Sequence, residues 1–476
     1  MLVNLIDKYK RIPTAAKASI WFVICSLFQK GIAFITTPIF TRLMSTEQYG
    51  QVIMYNSWME IFTIFATLNI FYGVYNNALA KYPEDKDRVT SSMLGLCTTL
   101  TLVVFLVYLC LQGWINKLTG MSTFMTCILF GEVLFIPAFR LWSAKQRFEY
   151  KYKALIAASL LISILTPLLG VPAVLLSEEK GYAKIFTGVL SQVLVAVILY
   201  ILIFKNGKRF YNKGYWKYAL AFNLPLIPHY LSSTILNQCD RVMIDNMCGT
   251  DKAGIYGLAY TIGALAIVFN EAIMNSFTPW TYQHLKAEKY EDVKRISRYL
   301  TVFIAVISFG LVLIAPEIVW ILGGEKYAEG AWIIAPISAS IFFRFLYSLY
   351  GNIEFYYEEN YFIMIASAVC AILNIVLNYI FIKQYGYLAA GFTTLLCFVF
   401  YSVAHCFYST KVIKKHIGMK SIYDNQFIYI TGFVLSGISV GTMILYKFVI
   451  IRYIIIVLIG GMMVIIRNKI VEKMKG

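Results

Sequence analysis

The chain has 476 residues, 59% hydrophobic and only 14% charged, with 42 Lys and Arg against 25 Asp and Glu and a formal net charge of +17. That much apolar side chain exceeds what a soluble domain can bury, which excludes a soluble enzyme and implies a polytopic α-helical membrane protein. In such a chain a basic surplus reports topology rather than a nucleic-acid partner, because Lys and Arg collect in cytoplasmic loops.

In chain order, apolar runs between charged or turn-rich breaks predict spans near 19–41, 51–73, 90–112, 122–141, 154–176 and 183–204. A second set falls near 218–239, 253–278, 299–322, 331–350, 361–382 and 388–410, and two more near 426–446 and 449–467. The first run follows Lys8, Lys10, Arg11 and Lys17 and is too long for a signal-peptide core, so it is expected to remain a span. Fourteen spans put both termini on one side. Alternate loops on that side hold 30 Lys and Arg against 10 on the other, which predicts cytoplasmic N- and C-termini. The predicted cytoplasmic connection 351–360 is the exception, with no Lys or Arg at all. No predicted loop exceeds about 20 residues, so no extramembrane domain is expected.

An internal repeat emerges from the spans. STEQYG at 45–50 follows the first span and GTDKAG at 249–254 the seventh, aligning Thr46, Glu47 and Gly50 with Thr250, Asp251 and Gly254 at a shift of 204. The same shift carries Phe139-Arg140 onto Phe343-Arg344. Six spans per half preserve orientation, so the repeat is parallel. The expected lobes are 1–205 (spans 1–6) and 206–413 (spans 7–12), with 414–476 (spans 13–14) outside them.

Signatures of catalysis are missing. There is no phosphate-binding GxxxxGK[ST], no HExxH, and only four histidines, at 229, 284, 405 and 416. Asp85-Lys86-Asp87 matches a metal-binding DxD but lies in a short loop and reads as a solvated charge run. Nine cysteines are scattered without a CxxC and read as buried packing residues, neither metal ligands nor a disulfide frame. No cofactor and no enzyme activity are expected; transport remains.

Charges at mid-membrane depth are the candidates: Lys30 in span 1, Glu60 in span 2, Glu132 in span 4 and His229 in span 7. Each such charge costs about 2.5–3.5 kcal/mol on insertion scales, so pairing or a wet cavity must offset it. Lys30 and Glu60, on antiparallel spans, form either a structural ion pair or part of a site. Arg140 and Arg344, near cytoplasmic span ends, either snorkel or have site roles. Asp240-Arg241 either caps span 7 at the outer surface or, with Asn237 and Gln238, extends a polar patch inward. His405, near a span end, reads as structural. Pro225 and Pro228 are expected to kink or break span 7 and free carbonyls.

LPLIPHYLSSTILNQCDRVMI at 224–244 with GTDKAGIYGLAY at 249–260 resembles the seventh-to-eighth-span signature of bacterial polysaccharide flippases. FTRLMSTEQYGQVIMYNSW at 40–58 resembles their first-to-second-span region. These are Wzx-like O-antigen and capsule flippases of the multidrug/oligosaccharidyl-lipid/polysaccharide (MOP) superfamily. The resemblance implies an all-α, MATE/MOP-like fold: two parallel-repeat six-helix lobes around a central cavity, plus two C-terminal helices. It implies alternating access in the bacterial plasma membrane, turning undecaprenyl-diphosphate-linked oligosaccharide from the cytoplasmic to the outer leaflet. Lys30, His229, Arg241, Arg140 and Arg344 would then bind the substrate, while Glu60, Asp240 and Glu132 would couple an H+ or Na+ gradient or form ion pairs. Lys30 and His229 are expected to face each other across the lobe interface. His229 would sense protonation, or else pack on Tyr230 and bond a carbonyl freed by proline. Membrane lipids, a polysaccharide polymerase and other assembly proteins are the implied partners.

Spans 13 and 14 resemble those of lipid II flippases, which keeps a lipid II-type cargo open. A MATE-like drug or cation antiporter of the same fold would carry mainly acidic cavity residues. A membrane polysaccharide polymerase would show a large external loop with catalytic basic residues, which is absent.

Overall fold

The computed structural model describes residues 14–458, and every regular element among them is helical. Described residues up to Gln238 form one compact unit and those from Cys239 onward a second. The first unit contains α1 (Thr14–Leu43), α2 (Thr46–Thr67), α3 (Gly73–Lys81), α4 (Lys86–Cys110), α5 (Gln112–Thr119), α6 (Thr123–Phe148), α7 (Tyr152–Leu176), α8 (Lys180–Gly207) and α9 (Lys213–Asn223). Helix α10 (Ile227–Cys248) begins in the first unit and ends in the second. The second unit continues with α11 (Thr250–Gly263), α12 (Leu265–Lys286), α13 (Tyr290–Leu313), α14 (Ala315–Gly323), α15 (Ala331–Tyr356), α16 (Asn360–Tyr385), α17 (Ala389–Ile417), α18 (Asn425–Ile444) and α19 (Val449–Leu458).

Eleven helical segments among the described residues are long and apolar enough to cross a bilayer. Leu176 (89% exposed), Ile450 (77%) and Phe407 (70%) turn outward, as side chains do where acyl chains replace water. This is a multi-pass membrane protein. Described helices cover the regions of the first thirteen predicted spans, with interruptions inside several of them, and the fourteenth begins at α19, its remainder lying outside the described residues. The helices Thr46–Thr67 and Ile227–Cys248, which overlap the predicted spans 51–73 and 218–239, are long enough but too polar for the eleven.

Both copies of the repeated motif open a helix. Ser45 and Gln48 form a capping box ahead of α2, each accepting the other's backbone N–H at 3.0 Å. Gly249, at φ 103°, takes a backbone conformation closed to most residues and launches α11 at Thr250.

Span 2 departs from the expected continuous run 51–73. Helix α2 stops at Thr67 because Leu68 and Asn69 are left-handed, at φ 50° and 51°, and α3 restarts at Gly73. Thr67 Oγ1 accepts the Asn69 N–H at 3.2 Å, and the buried Asn223 Nδ2 donates to the Leu68 carbonyl at 2.9 Å. Asn223→Ala would orphan that carbonyl in a dry core, at a cost of about 1–3 kcal/mol. The thermal midpoint in detergent should fall by several degrees; an unchanged midpoint would show that the break holds itself.

Pro225 and Pro228 interrupt the helix as expected, although the Ile227 N–H takes up the Leu224 carbonyl at the break. The chain passes from α9 through a 3-10 turn, Leu224–Leu226, into α10, and Ser232 Oγ donates to the Pro228 carbonyl at 2.6 Å.

Ile70, Val74, Tyr75, Leu94 and Leu141 fill the first unit's core. Helix α4 meets the turn at Phe210 so closely that a Cβ on Gly95 would lie 2.1 Å from the Phe210 carbonyl oxygen. In the second unit α15 is apolar on nearly every side, with Phe342, Phe343, Phe345 and Leu346 fully buried, and serves as its central post. Cys25, Cys97, Cys370 and Cys397 are buried as expected, but Cys110 and Cys127 are exposed, correcting the reading of every cysteine as buried packing. Asp85 pairs with Arg88 and Asp87 with Lys145, so the charge run is a surface clasp.

A cationic cavity and two buried carboxylates

The helix break at 68–72 sets Phe71 and Tyr72 against α6. There a cavity of about 660 Å³ opens, lined by Phe71, Tyr72, Asn76, Phe139, Arg140 and Arg147 among others. Arg140 is half-buried, its guanidinium 4.7 Å from the Phe71 ring centroid, close enough for the ring face to stabilise the charge. Arg147 is exposed and lies two helical turns further along the same face, about 10 Å away by helical rise. Two cations, one of them held against a ring, thus line a partly aromatic cleft within one unit. Reading the sequence found Arg140 and missed Arg147, which was counted only as a loop charge; its seven-residue spacing was the available signal.

Glu132 on α6 is almost wholly buried, and its partners are neutral. Tyr55 OH donates to one carboxyl oxygen at 2.7 Å and Gln192 Nε2 to the other at 3.2 Å. Lys30 is exposed on α1, and no ion pair joins it to Glu60 among the described residues, which corrects the expected pairing. Glu60 instead accepts from Gln238 Nε2 at 2.6 Å, while Gln238 Oε1 accepts from Ser57 Oγ at 3.1 Å. A neutral amide two residues before Asp240 thus occupies the place reserved for a lysine.

In the second unit Asp240 is 1% exposed and more than two turns inside α10, which ends at Cys248. It is therefore not an end cap. Tyr256 OH and Thr394 Oγ1 each donate to Oδ2 at 2.7 Å, and Asn378 Nδ2 donates to Oδ1 at 2.6 Å. Asn374 Oδ1 accepts from Asn378 at 3.2 Å, and Thr393 bonds Asn378 Oδ1. Asn374 Nδ2 is buried without a hydrogen-bond partner. One carboxylate, two amides and three hydroxyls converge in a buried volume. Asn374 and Asn378, one turn apart in an apolar run, carry the sequence signal for this cluster.

The remaining candidates are dispersed. Arg241 is buried, its guanidinium 4.1 Å from the Tyr260 ring centroid. His229 is half-buried in the first turn of α10, its ring 6.1 Å from that of Tyr230, which itself lies 6.5 Å from Tyr72 beside the cationic cavity. Arg344 is half-buried on α15.

Residues 15–282, more than half of the chain, match the family described as polysaccharide biosynthesis protein, and residues 225–380 match MatE. The chain belongs to the polysaccharide biosynthesis protein family. It is 24% identical over 379 residues to a protein of the Lsg locus of Haemophilus influenzae, covering 75% of this chain and 89% of that protein. It is 19% identical over 423 residues to Agl15 of Haloferax volcanii, a probable flippase of low-salt glycan biosynthesis, covering 84% of each. Among solved structures the lipid II flippase MurJ, in an inward closed conformation, superposes with a TM-score of 0.65 at 15% identity, over 95% of this chain and all of that one. The fold is MATE- and MurJ-like.

Proposed function

We propose that the transporter flips undecaprenyl-diphosphate-linked oligosaccharides across the bacterial plasma membrane by alternating access, supplying capsule or O-antigen polysaccharide. The observation that carries this reading is the cationic cavity of the first unit. A diphosphate keeps its charge in a low-dielectric setting only if cations and hydrogen-bond donors replace its water. Arg140 and Arg147 provide two such cations, and Tyr72 and Phe139 offer flat apolar faces suited to a sugar ring. Lys30, His229, Arg241 and Arg344 complete the proposed set of cargo-binding residues. Asp240, with Asn374, Asn378, Thr393 and Thr394, forms an oxygen-rich pocket of the kind a hard cation selects, and is our candidate for the site coupled to an H+ or Na+ gradient. Glu132 and Glu60 are secondary candidates for that coupling. A polysaccharide polymerase and other assembly proteins would receive the flipped cargo.

A lipid II-type cargo is the second reading, favoured by the full-length superposition on MurJ. Both cargoes share the diphosphate. The test uses proteoliposomes holding a short glycan on undecaprenyl diphosphate or on neutral undecaprenol, with a membrane-impermeant glycosidase reporting arrival at the far leaflet. The diphosphate form should move at least about tenfold faster, about 1.4 kcal/mol in barrier. Equal rates for the two lipids would end the proposal, and a preference for a muropeptide headgroup would select the second reading.

A further inference from the structure

The second unit buries an acid and an imidazole for which neither cargo binding nor Asp240 has a use. Glu354, on the last turn of α15, and His405, on α17, both have no solvent exposure. His405 Nδ1 lies 2.9 Å from one carboxyl oxygen of Glu354 and 2.8 Å from the other. Three aromatic rings close around the imidazole, Tyr401 at 4.7 Å, Tyr347 at 4.8 Å and Phe362 at 5.3 Å between centroids. His405 Nε2 is buried and has no hydrogen-bond partner.

This geometry makes the pair sensitive to a single proton. With a neutral imidazole donating from Nδ1 to an ionised carboxylate, the pair carries a net negative charge sealed among rings. One more proton, on either Nε2 or the carboxylate, brings the pair to zero net charge. A dry site favours the neutral sum, and rings within 6 Å favour an imidazolium. The other titratable or charged groups around the pair are Arg344 and Tyr347 on α15, Cys370 on α16, and Tyr401 and Tyr408 on α17.

A second observation sets an acidic turn beside the pair. The turn after α15 belongs to 351–360, the stretch without Lys or Arg, and carries Glu358 and Glu359. Glu359 N–H donates to the Glu354 carbonyl at 2.9 Å. Its carboxylate accepts from Lys415 at 2.8 Å and from Tyr408, three residues along α17 from His405, at 3.0 Å. Those two bonds hold the Glu359 carboxyl below the usual carboxylate range, so it stays anionic at the aqueous end.

We propose that Glu354 and His405 form a proton-binding site that exchanges one proton with the aqueous phase through the Glu358–Glu359 turn, and that its loading is a step of the transport cycle distinct from events at Asp240. Loading transfers a proton from hydronium to the pair and leaves water; release reverses it. The proposal rests on the transporter function and is independent of which glycan is carried.

With four histidines in the chain, nitrogen-15 NMR of histidine-labelled full-length protein can follow His405 once each signal is assigned by single His→Gln changes. Its signals should report one protonation whose midpoint moves by at least about one pH unit in Glu354→Gln and stays in place in Asp240→Asn. In proteoliposomes Glu354→Gln and His405→Gln should lose the acceleration of flipping by a proton gradient yet retain gradient-free exchange, which also shows that they fold. His405 signals unmoved between about pH 5 and 9 would overturn the proposal. Wild-type gradient acceleration in both variants would overturn it as well. Neither result bears on whether the cargo carries a diphosphate.

Discussion

Asp240→Asn is expected to leave the protein folded and to stop ion-driven flipping. Three donors converge on this carboxylate, from Tyr256, Asn378 and Thr394, and all are buried. The amide keeps the size and one acceptor but removes the charge, so bonds to a charged group, worth about 1.5–3 kcal/mol each, fall to neutral ones. The driven rate should drop about a hundredfold, about 2.7 kcal/mol in barrier, and what remains should no longer respond to Na+ or H+ gradients. Asp240→Ala should behave differently. It leaves three buried donors without their acceptor and should lower stability by about 3–5 kcal/mol, visible as a lower melting temperature. A normal ion response in Asp240→Asn would remove this carboxylate from coupling.

The second large effect is expected at Arg140. Its guanidinium is held against Phe71 and faces the cavity, so Arg140→Ala should weaken cargo binding about 10- to 100-fold, the loss of one charge-assisted pairing. Arg140→Lys should recover only part of this, because an ammonium cannot reproduce the planar fork or its stacking on the ring. Arg147→Ala should cost less, since that side chain is exposed. Initial rates over a range of glycolipid concentrations separate the cases: loss of binding raises KM with kcat little changed. An unchanged KM in Arg140→Ala would mean that this arginine only reaches for headgroups at the membrane surface.

Hydropathy reads the fold well because a bilayer demands length and apolarity, and both are written locally in the chain. The proline break near 224–228 was legible for the same reason: Pro lacks a donor wherever it stands. The break at Leu68–Asn69 was not legible, because it depends on Asn223, 155 residues away. The candidate site was read half correctly. A search for charges finds Glu132 and Asp240, but their partners are Tyr55, Gln192, Tyr256, Asn378 and Thr394, neutral groups that no charge count reveals. The same bias reads Lys30 against Glu60, where the structure uses Gln238, and it does not name Glu354, 51 residues from His405 in sequence, as the partner of that histidine.

Asn223 and Gln238 lie beyond the sixth long apolar run, yet they hold α2 through Leu68, Glu60 and Ser57 and belong to the first unit. Consequently the first unit is incomplete when the ribosome finishes α8 at Gly207. Domains generally fold during synthesis in N-to-C order; here the nascent chain must wait until Gln238 has left the exit tunnel before Glu60 meets its amide. A fragment cut in the polar turn after Gly207 would leave the Leu68 carbonyl buried without its Asn223 donor and Glu60 without its amide. During biogenesis such an arrested intermediate is a natural substrate for membrane chaperones and quality-control proteases.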